Sequence, residues 1–163
     1  MTRIINESIA SGIVPKIWKD AVVTPILKKG DPKEKENYRP VSCLPVASKV
    51  LEKIVCDQIT RCFEVNKLLP DNQHGFRAGR STMTALASMQ QDWVQNWDGK
   101  MVTGILLWDL SAAYDTLCPR LFCKKLKVYG LNQLSYDWFK SFLMGRTQCV
   151  KIGRMMLKQK ELV

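Results

Sequence analysis

The alternation of helical and extended patterns predicts a mixed fold, α/β or α+β, with a partly antiparallel sheet. Three observations carry this expectation. Residues 20–28 alternate around Val22, Val23 and Ile26, then break into the polar loop 29–37, which suits one arm of a β-hairpin. Two longer stretches repeat their apolar residues at helical spacing. A short apolar run, residues 101–108, reads as a buried strand ending on a carboxylate, Asp109.

The remaining elements follow in order. Between residues 44 and 63, apolar side chains recur at Ala47, Val50, Leu51, Ile54, Val55, Ile59 and Phe63, a helical stripe. Leu68-Leu-Pro-Asp-Asn72 is a turn by its proline and asparagine content. Ser81 caps a second helix running from Thr82 to about Trp97, with Leu86, Met89, Trp93 and Trp97 along one face. Two short helices are bounded by Pro119 and Gly130 and by Gln133 and Gly145, with proline at a start and glycine just past each end. Residues 147–152 form a short strand. No repeat or linker divides the chain, so residues 1–163 read as a single unit.

With 163 residues, 46% of them hydrophobic, the chain is long enough for one domain with a real core. It is strongly basic, with 25 Lys+Arg against 15 Asp+Glu and a formal charge of +10. Such an excess favours a polyanion, nucleic acid ahead of an anionic membrane face; a merely solvated basic surface is the plain alternative. Six cysteines include no Cys-x-x-Cys pair and His74 is the lone histidine, so zinc-finger spacing is absent. Several cysteines fall in apolar periodic segments and read as buried free thiols. The first residues lack a signal-peptide core, and no apolar run approaches the roughly 20 residues of a spanning helix. The expectation is a soluble intracellular protein, nuclear or cytoplasmic, without a membrane partner.

Three motifs bear on chemistry. The apolar run 105–108 delivers Asp109, followed by Tyr114 and Asp115. A carboxylate at a buried strand end is costly to desolvate unless a cation compensates; the plain alternative is a helix-capping aspartate. Pro25-Ile-Leu-Lys-Lys-Gly-Asp-Pro32 and Asn37-Tyr-Arg-Pro-Val41 bring Lys28, Lys29 and Arg39 to one hairpin. There a mobile ammonium and a planar guanidinium would converge on one anion. Gln73-His-Gly-Phe-Arg-Ala-Gly-Arg-Ser-Thr82 sets Arg77 and Arg80 between and after two glycines just ahead of a helix start, where phosphate is favoured. A solvated charged turn and an ordinary helix-capping turn are the plain readings of these two. Gly75 and Gly79 match neither the dinucleotide nor the P-loop fingerprint.

Six blocks in order carry a resemblance: Trp18-Lys-Asp-Ala21, Pro25 to Asp31, Asn37 to Val41, Leu44-Pro-Val-Ala-Ser-Lys-Val-Leu-Glu-Lys-Ile54, His74 to Thr82, and Asp109-Leu-Ser-Ala-Ala-Tyr-Asp115. Together they resemble the reverse transcriptase of LINE-type (non-LTR) retrotransposons, from roughly residue 13 onward. Leu126-Lys-Val-Tyr-Gly130, Trp138, Phe142-Leu-Met-Gly-Arg146 and Gln148-Cys-Val-Lys-Ile-Gly153 follow the same pattern.

The resemblance implies an α+β, partial right-hand polymerase fold, with fingers over about residues 13–100 and the first half of the palm over about 101–163. It implies an RNA-directed DNA polymerase that extends a DNA 3′ end on an RNA template with deoxynucleoside triphosphates. Asp109 would bind both catalytic Mg²⁺ ions, joined by the backbone carbonyl of Leu110, with two ions ~3.5–4 Å apart serving the primer hydroxyl and the leaving pyrophosphate. Tyr114 would pack beneath the incoming sugar and disfavour a 2′-hydroxyl, and Asp115 would cap the next turn. Lys29 and Arg39 would hold the triphosphate, with Lys28 competing for the lysine role. Arg77 and Arg80 would lie along the template or nucleotide groove.

Trp108 and Ala112 depart from the family's usual aliphatic and lysine without removing a catalytic group. The larger departure is that the Gly-Val-Pro-Gln-Gly-Ser turn and the Ala-Asp-Asp pair are missing from these 163 residues. The expectation is therefore a fragment that is inactive in isolation. The rival is a non-catalytic nucleic-acid-binding remnant or the product of a decayed element; oligomeric state stays open.

Overall fold

The computed structural model describes residues 1–110, 113 and 116–161. They build five α-helices and a five-stranded mixed sheet. Two compact units emerge where the sequence suggests one: Met1–Val55 with Leu117–Val163, and Cys56–Thr116.

In the first unit, β1 (Asp20–Leu27) and β2 (Tyr38–Cys43) form the expected hairpin, antiparallel, with Ile26 opposite Arg39 and Leu27 opposite Tyr38. The other edge of β1 pairs in parallel with β3 (Thr147–Ile152), Asp20 beside Thr147. Two short strands, β4 (Met155–Met156) and β5 (Lys160–Glu161), add antiparallel pairs to β3 and lie past the last expected strand. The sheet is thus partly antiparallel, as expected.

Helix α1 (Thr2–Ser11) has no counterpart among the elements expected from the sequence. It ends on Gly12 in the left-handed conformation at φ 69°, and its inner face buries Ile5 and Ser8. These meet Val14, Trp18, Leu51 and Trp138 in the core, with Ile9, Ala47, Ile54, Val55, Phe139 and Phe142 packed around them. Leu51 comes from α2 (Val46–Val65), the first of the two expected stripes, which runs from this unit into the second. Trp138 comes from α5 (Gln133–Leu143), whose start is capped by the Asn132 side chain accepting from Ser135 N. Helix α4 (Pro119–Val128) precedes it, with proline in the first turn as expected. Trp138 stacks on Phe142 at 5.3 Å between ring centroids, and its indole N–H donates to Ser8 Oγ at 3.2 Å. That bond satisfies the two polar groups buried here, which would otherwise be costly.

The second unit holds the end of α2, the loop after it, and α3 (Thr82–Asp98). Ser81 caps α3 reciprocally: its hydroxyl accepts from Thr84 N at 3.3 Å, while Thr84 Oγ1 accepts from Ser81 N at 2.8 Å. Two expectations fail here. The α3 stripe is not core: no residue of the helix is buried, and Leu86, Trp93 and Trp97 are exposed. Nor do residues 101–108 form a buried strand; they lack regular structure, and Val102, Leu107 and Trp108 are more than four-fifths exposed. A strand needs a neighbour to satisfy its N–H and C=O groups, and no described strand flanks this segment.

The cysteines also depart from expectation. All six are free thiols, but only Cys123 is buried and Cys149 partly so, while Cys43, Cys56, Cys62 and Cys118 are exposed. On α2, Cys56 falls off the stripe that runs through Leu51, Ile54, Val55 and Ile59, whereas Cys62 lies on it three turns past Leu51 and is exposed all the same. No described helix is long and apolar enough to cross a membrane.

Leu51 is 1% exposed within the core, so Leu51→Ala should cost about 2–5 kcal/mol by leaving a cavity. Val50→Ala, on the exposed side of the same turn, should cost well under half as much. Chemical denaturation of the two variants reads this difference directly.

Candidate nucleic-acid interface

The hairpin loop 28–37 is held from inside. Lys28 N donates to Asn37 O at 2.8 Å, continuing the β1–β2 ladder by one step. Asp31 Oδ1 accepts from Lys33 N at 2.9 Å, Asn37 Nδ2 donates to Asp31 O at 3.0 Å, and Tyr38 Oη donates to Pro32 O at 3.0 Å. Gly30 is required by this packing. It sits at φ +92°, and a Cβ there would come within 2.6 Å of the Asn37 amide. The loop is therefore fixed from within, and of its cations Lys35 lies 3.7 Å from the Glu36 carboxylate. Lys28, Lys29 and Arg39 share one end of the hairpin, are exposed, and have no carboxylate partner among the described residues.

Beside that end, Val23, Pro25, Tyr38, Pro40, Val150 and Ile152, with Lys33 and Lys35, line an apolar groove of about 530 Å³. Sequence pattern gives no hint of it. The groove depends on β3 lying parallel to β1, which no local signal announces.

In the second unit, the loop 66–80 is braced by its own arginines. Arg77 is turned inward, its side chain 8% exposed, and forks onto Glu64 with Nε to Oε1 at 2.8 Å and Nη2 to Oε2 at 2.6 Å. It also donates to Pro70 O at 2.7 Å. This guanidinium is occupied, so a groove-lining role for Arg77 is not what its contacts express. Arg80 donates to the carbonyl of Asp71 and lies 3.9 Å from its carboxylate, yet keeps part of its side chain in solvent. Hydrogen bonding from Arg77 holds the Glu64 carboxyl below its ordinary value of 4.5, and the charges of Arg77 and Arg80 act in the same direction.

Immediately before Arg77 stands Phe76. It is 93% exposed and adopts φ 59°, a conformation a non-glycine residue rarely takes. An aromatic ring held in water on a braced loop is a functional signal that attention to the arginines alone would miss.

Asp109 and Leu110 belong to the unstructured, exposed stretch 101–110 of the second unit. Tyr114 and Asp115 lie outside the described residues. Lys28, Lys29 and Arg39 belong to the first unit, so the two sets fall in separate compact bodies.

Charge is divided just as sharply. The first unit carries 20 Lys+Arg against 8 Asp+Glu, a balance of +12; the second carries 5 against 7, a balance of −2. The whole basic excess therefore belongs to the body that carries the hairpin.

Comparison with known proteins settles the family. The profile described as reverse transcriptase (RNA-dependent DNA polymerase) matches residues 26–161.

The chain belongs to the reverse transcriptase family.

Its relatives are of the non-LTR retrotransposon kind that the motif order implied. The chain is 30% identical over 152 residues to the probable RNA-directed DNA polymerase from transposon X-element of Drosophila melanogaster, covering 93% of this chain and 17% of that protein. It is 31% identical over 154 residues to the RNA-directed DNA polymerase from mobile element jockey of the same species, with the same coverage. A more distant relative, the retrovirus-related Pol polyprotein from type-1 retrotransposable element R2 of Popillia japonica, is 20% identical over 142 residues, 87% of this chain and 19% of that protein. The chain thus spans 17% of the length of these two Drosophila polymerases.

Reverse transcriptases are in general Mg²⁺-dependent. The described residues do not fit a two-ion centre. Asp109 is exposed, and no three His, Cys, Asp or Glu side chains gather as a metal-binding group among the described residues. One carboxylate and one carbonyl cannot offset two divalent ions.

The Glu64–Arg77 pair gives a sign-definite pH effect. Its carboxyl is depressed in the folded state, so its contribution is complete above about pH 4.5 and is lost as pH falls through the lowered value. Glu64→Gln should lower the melting temperature at pH 7 and flatten the acid limb of the stability profile. Limited proteolysis should also cut the variant sooner within residues 66–80.

Proposed function

We propose that this chain is the fingers, about residues 13–100, and the first part of the palm, about 101–163, of a right-hand RNA-directed DNA polymerase. The complete enzyme extends a DNA 3′ end on an RNA template with deoxynucleoside triphosphates. The observation that carries this reading is the family match over residues 26–161, which includes both the cationic hairpin and Asp109.

Within that reading each residue takes a physical role. Lys29 and Arg39, with Lys28 beside them, meet the triphosphate: the ammonium supplies charge and the guanidinium a two-pronged grip on phosphate oxygens. The rigid loop under them limits the ordering cost of that grip. The groove along Val23, Tyr38 and Val150 opens on the other face of the sheet from Arg39, because side chains alternate along β2, and takes no part in that grip. Arg77 holds the loop 66–80 through Glu64, leaving Arg80 and the ring of Phe76 to face the template, a base stacking on the aromatic. Asp109 and the Leu110 carbonyl would hold a metal ion only with further carboxylates beside them, and Tyr114 would discriminate the sugar. The role of these 163 residues on their own is to bind and position nucleic acid; polymerisation needs carboxylates beyond Asp109.

A labelled RNA–DNA hybrid tests this. Binding should weaken steeply with salt, and Lys28→Gln/Lys29→Gln/Arg39→Gln should weaken it about tenfold or more while leaving the melting temperature unchanged. Primer extension on an RNA template with Mg²⁺ should yield no product from the chain alone. Salt-independent or undetectable binding would overturn the binding role, and incorporation abolished by Asp109→Ala would overturn the inactivity of the chain alone.

A further inference from the structure

A second cationic site lies on the first unit, and none of its cations belongs to a motif that suggested a function. Helices α4 and α5 enclose an open cleft of about 390 Å³ lined by Arg120, Cys123, Lys124, Tyr136, Lys140 and Met144. Arg120 and Lys124 stand one helical turn apart on α4, so their charges share a face. Lys140 approaches from α5, close enough that its charge opposes the upward push that burial gives the Cys123 thiol on the cleft floor.

Three features are hard to explain by folding alone. Like charges spaced i, i+4 disfavour a helix, and Arg120 stands in the first turn, where the helix dipole is already positive and no acidic residue is present. No carboxylate pairs with Arg120, Lys124 or Lys140 among the described residues; Asp137, the acid on α5, accepts from Gln133 instead. The cleft wall is also fixed, since Lys127 Nζ sits 4.0 Å from the centre of the Tyr136 ring. An arrangement of uncompensated cations on a rigid wall is stabilised when an anion enters it.

We propose that the α4–α5 cleft binds the phosphodiester backbone of nucleic acid, a contact separate from the hairpin end. Arg120 forks onto one phosphate group while Lys124 and Lys140 act as point charges on it and its neighbours, and the Tyr136 ring packs against the intervening sugar. This rests on the nucleic-acid reading above and adds an anchoring site to it. The contact carries no base readout, so it grips template or primer regardless of sequence.

Fluorescence anisotropy with a labelled RNA–DNA hybrid across a salt series is the test, on the 163-residue chain. Arg120→Gln/Lys124→Gln/Lys140→Gln should weaken binding about tenfold or more and reduce the slope of log affinity against log salt by about 2–3, near 0.9 for each phosphate left without its cation. Charge-preserving Lys124→Arg/Lys140→Arg should stay within about twofold of the parent. Should the neutral triple variant melt early, Lys124→Gln alone should still lower the slope by about 1. An unchanged slope in the neutral variants, with binding still weakened in the hairpin variant, overturns the cleft and leaves the polymerase reading standing. No binding by the parent chain overturns both.

Discussion

The packing of Trp138 against α1 and α2 is the constraint on which the first unit depends. Its indole lies in the core among Ile5, Val14, Trp18 and Leu51, and its single polar atom is satisfied by Ser8 across 130 residues of sequence. That contact closes the chain on itself, joining the N-terminal helix to the segment that continues into β3. Once α5 is docked, Ser141 Oγ accepts from Val14 N at 3.0 Å, and Lys19 Nζ reaches the Met144 carbonyl at 3.3 Å. Burial, with Arg146 beside it, holds the Lys19 ammonium below its usual range, the mark of a cation enlisted for packing. β3 then follows α5 directly onto the edge of β1, and the hairpin acquires a solid base.

Cations in this protein divide into two kinds by what surrounds them. Lys19 and Arg77 are committed to internal acceptors, the first on α5 and the second on Glu64. Lys28, Lys29, Arg39, Arg120, Lys124 and Lys140 stand exposed without acidic partners among the described residues. A fold gains nothing by leaving like charges near one another, and the proposed contacts with a polyanion rest on the second kind. With the entire basic excess gathered in the first unit, the long-range field that would attract a polyanion belongs to that body rather than evenly to the chain.

The second unit shows the opposite pattern. Its loop 66–80 is tightly braced, yet α3 and residues 101–110 leave Leu86, Trp97, Leu107 and Trp108 in water. Exposed apolar surface on this scale marks a place for further contacts. Asp109 lies within it, so the geometry of its carboxylate depends on whatever orders that stretch.

Local physics was enough to read much of this chain from its residues. The Ser81 cap, proline at the start of α4, the stops at Gly130 and Gly145, and the alternation of β1 each act within a few residues, and each element formed where its signal stood. The family, too, was legible, because motif order and spacing survive without any knowledge of packing. What the tertiary structure alone decided was the partner of each surface. Period cannot say that α3 lacks a cover, that 101–108 lacks a neighbouring strand, or that Arg77 finds Glu64 thirteen residues upstream. It also cannot say that α4 and α5 bring three lysine and arginine side chains to one cleft. Hydrophobicity and charge specify what a residue seeks, while only the folded chain determines what it meets.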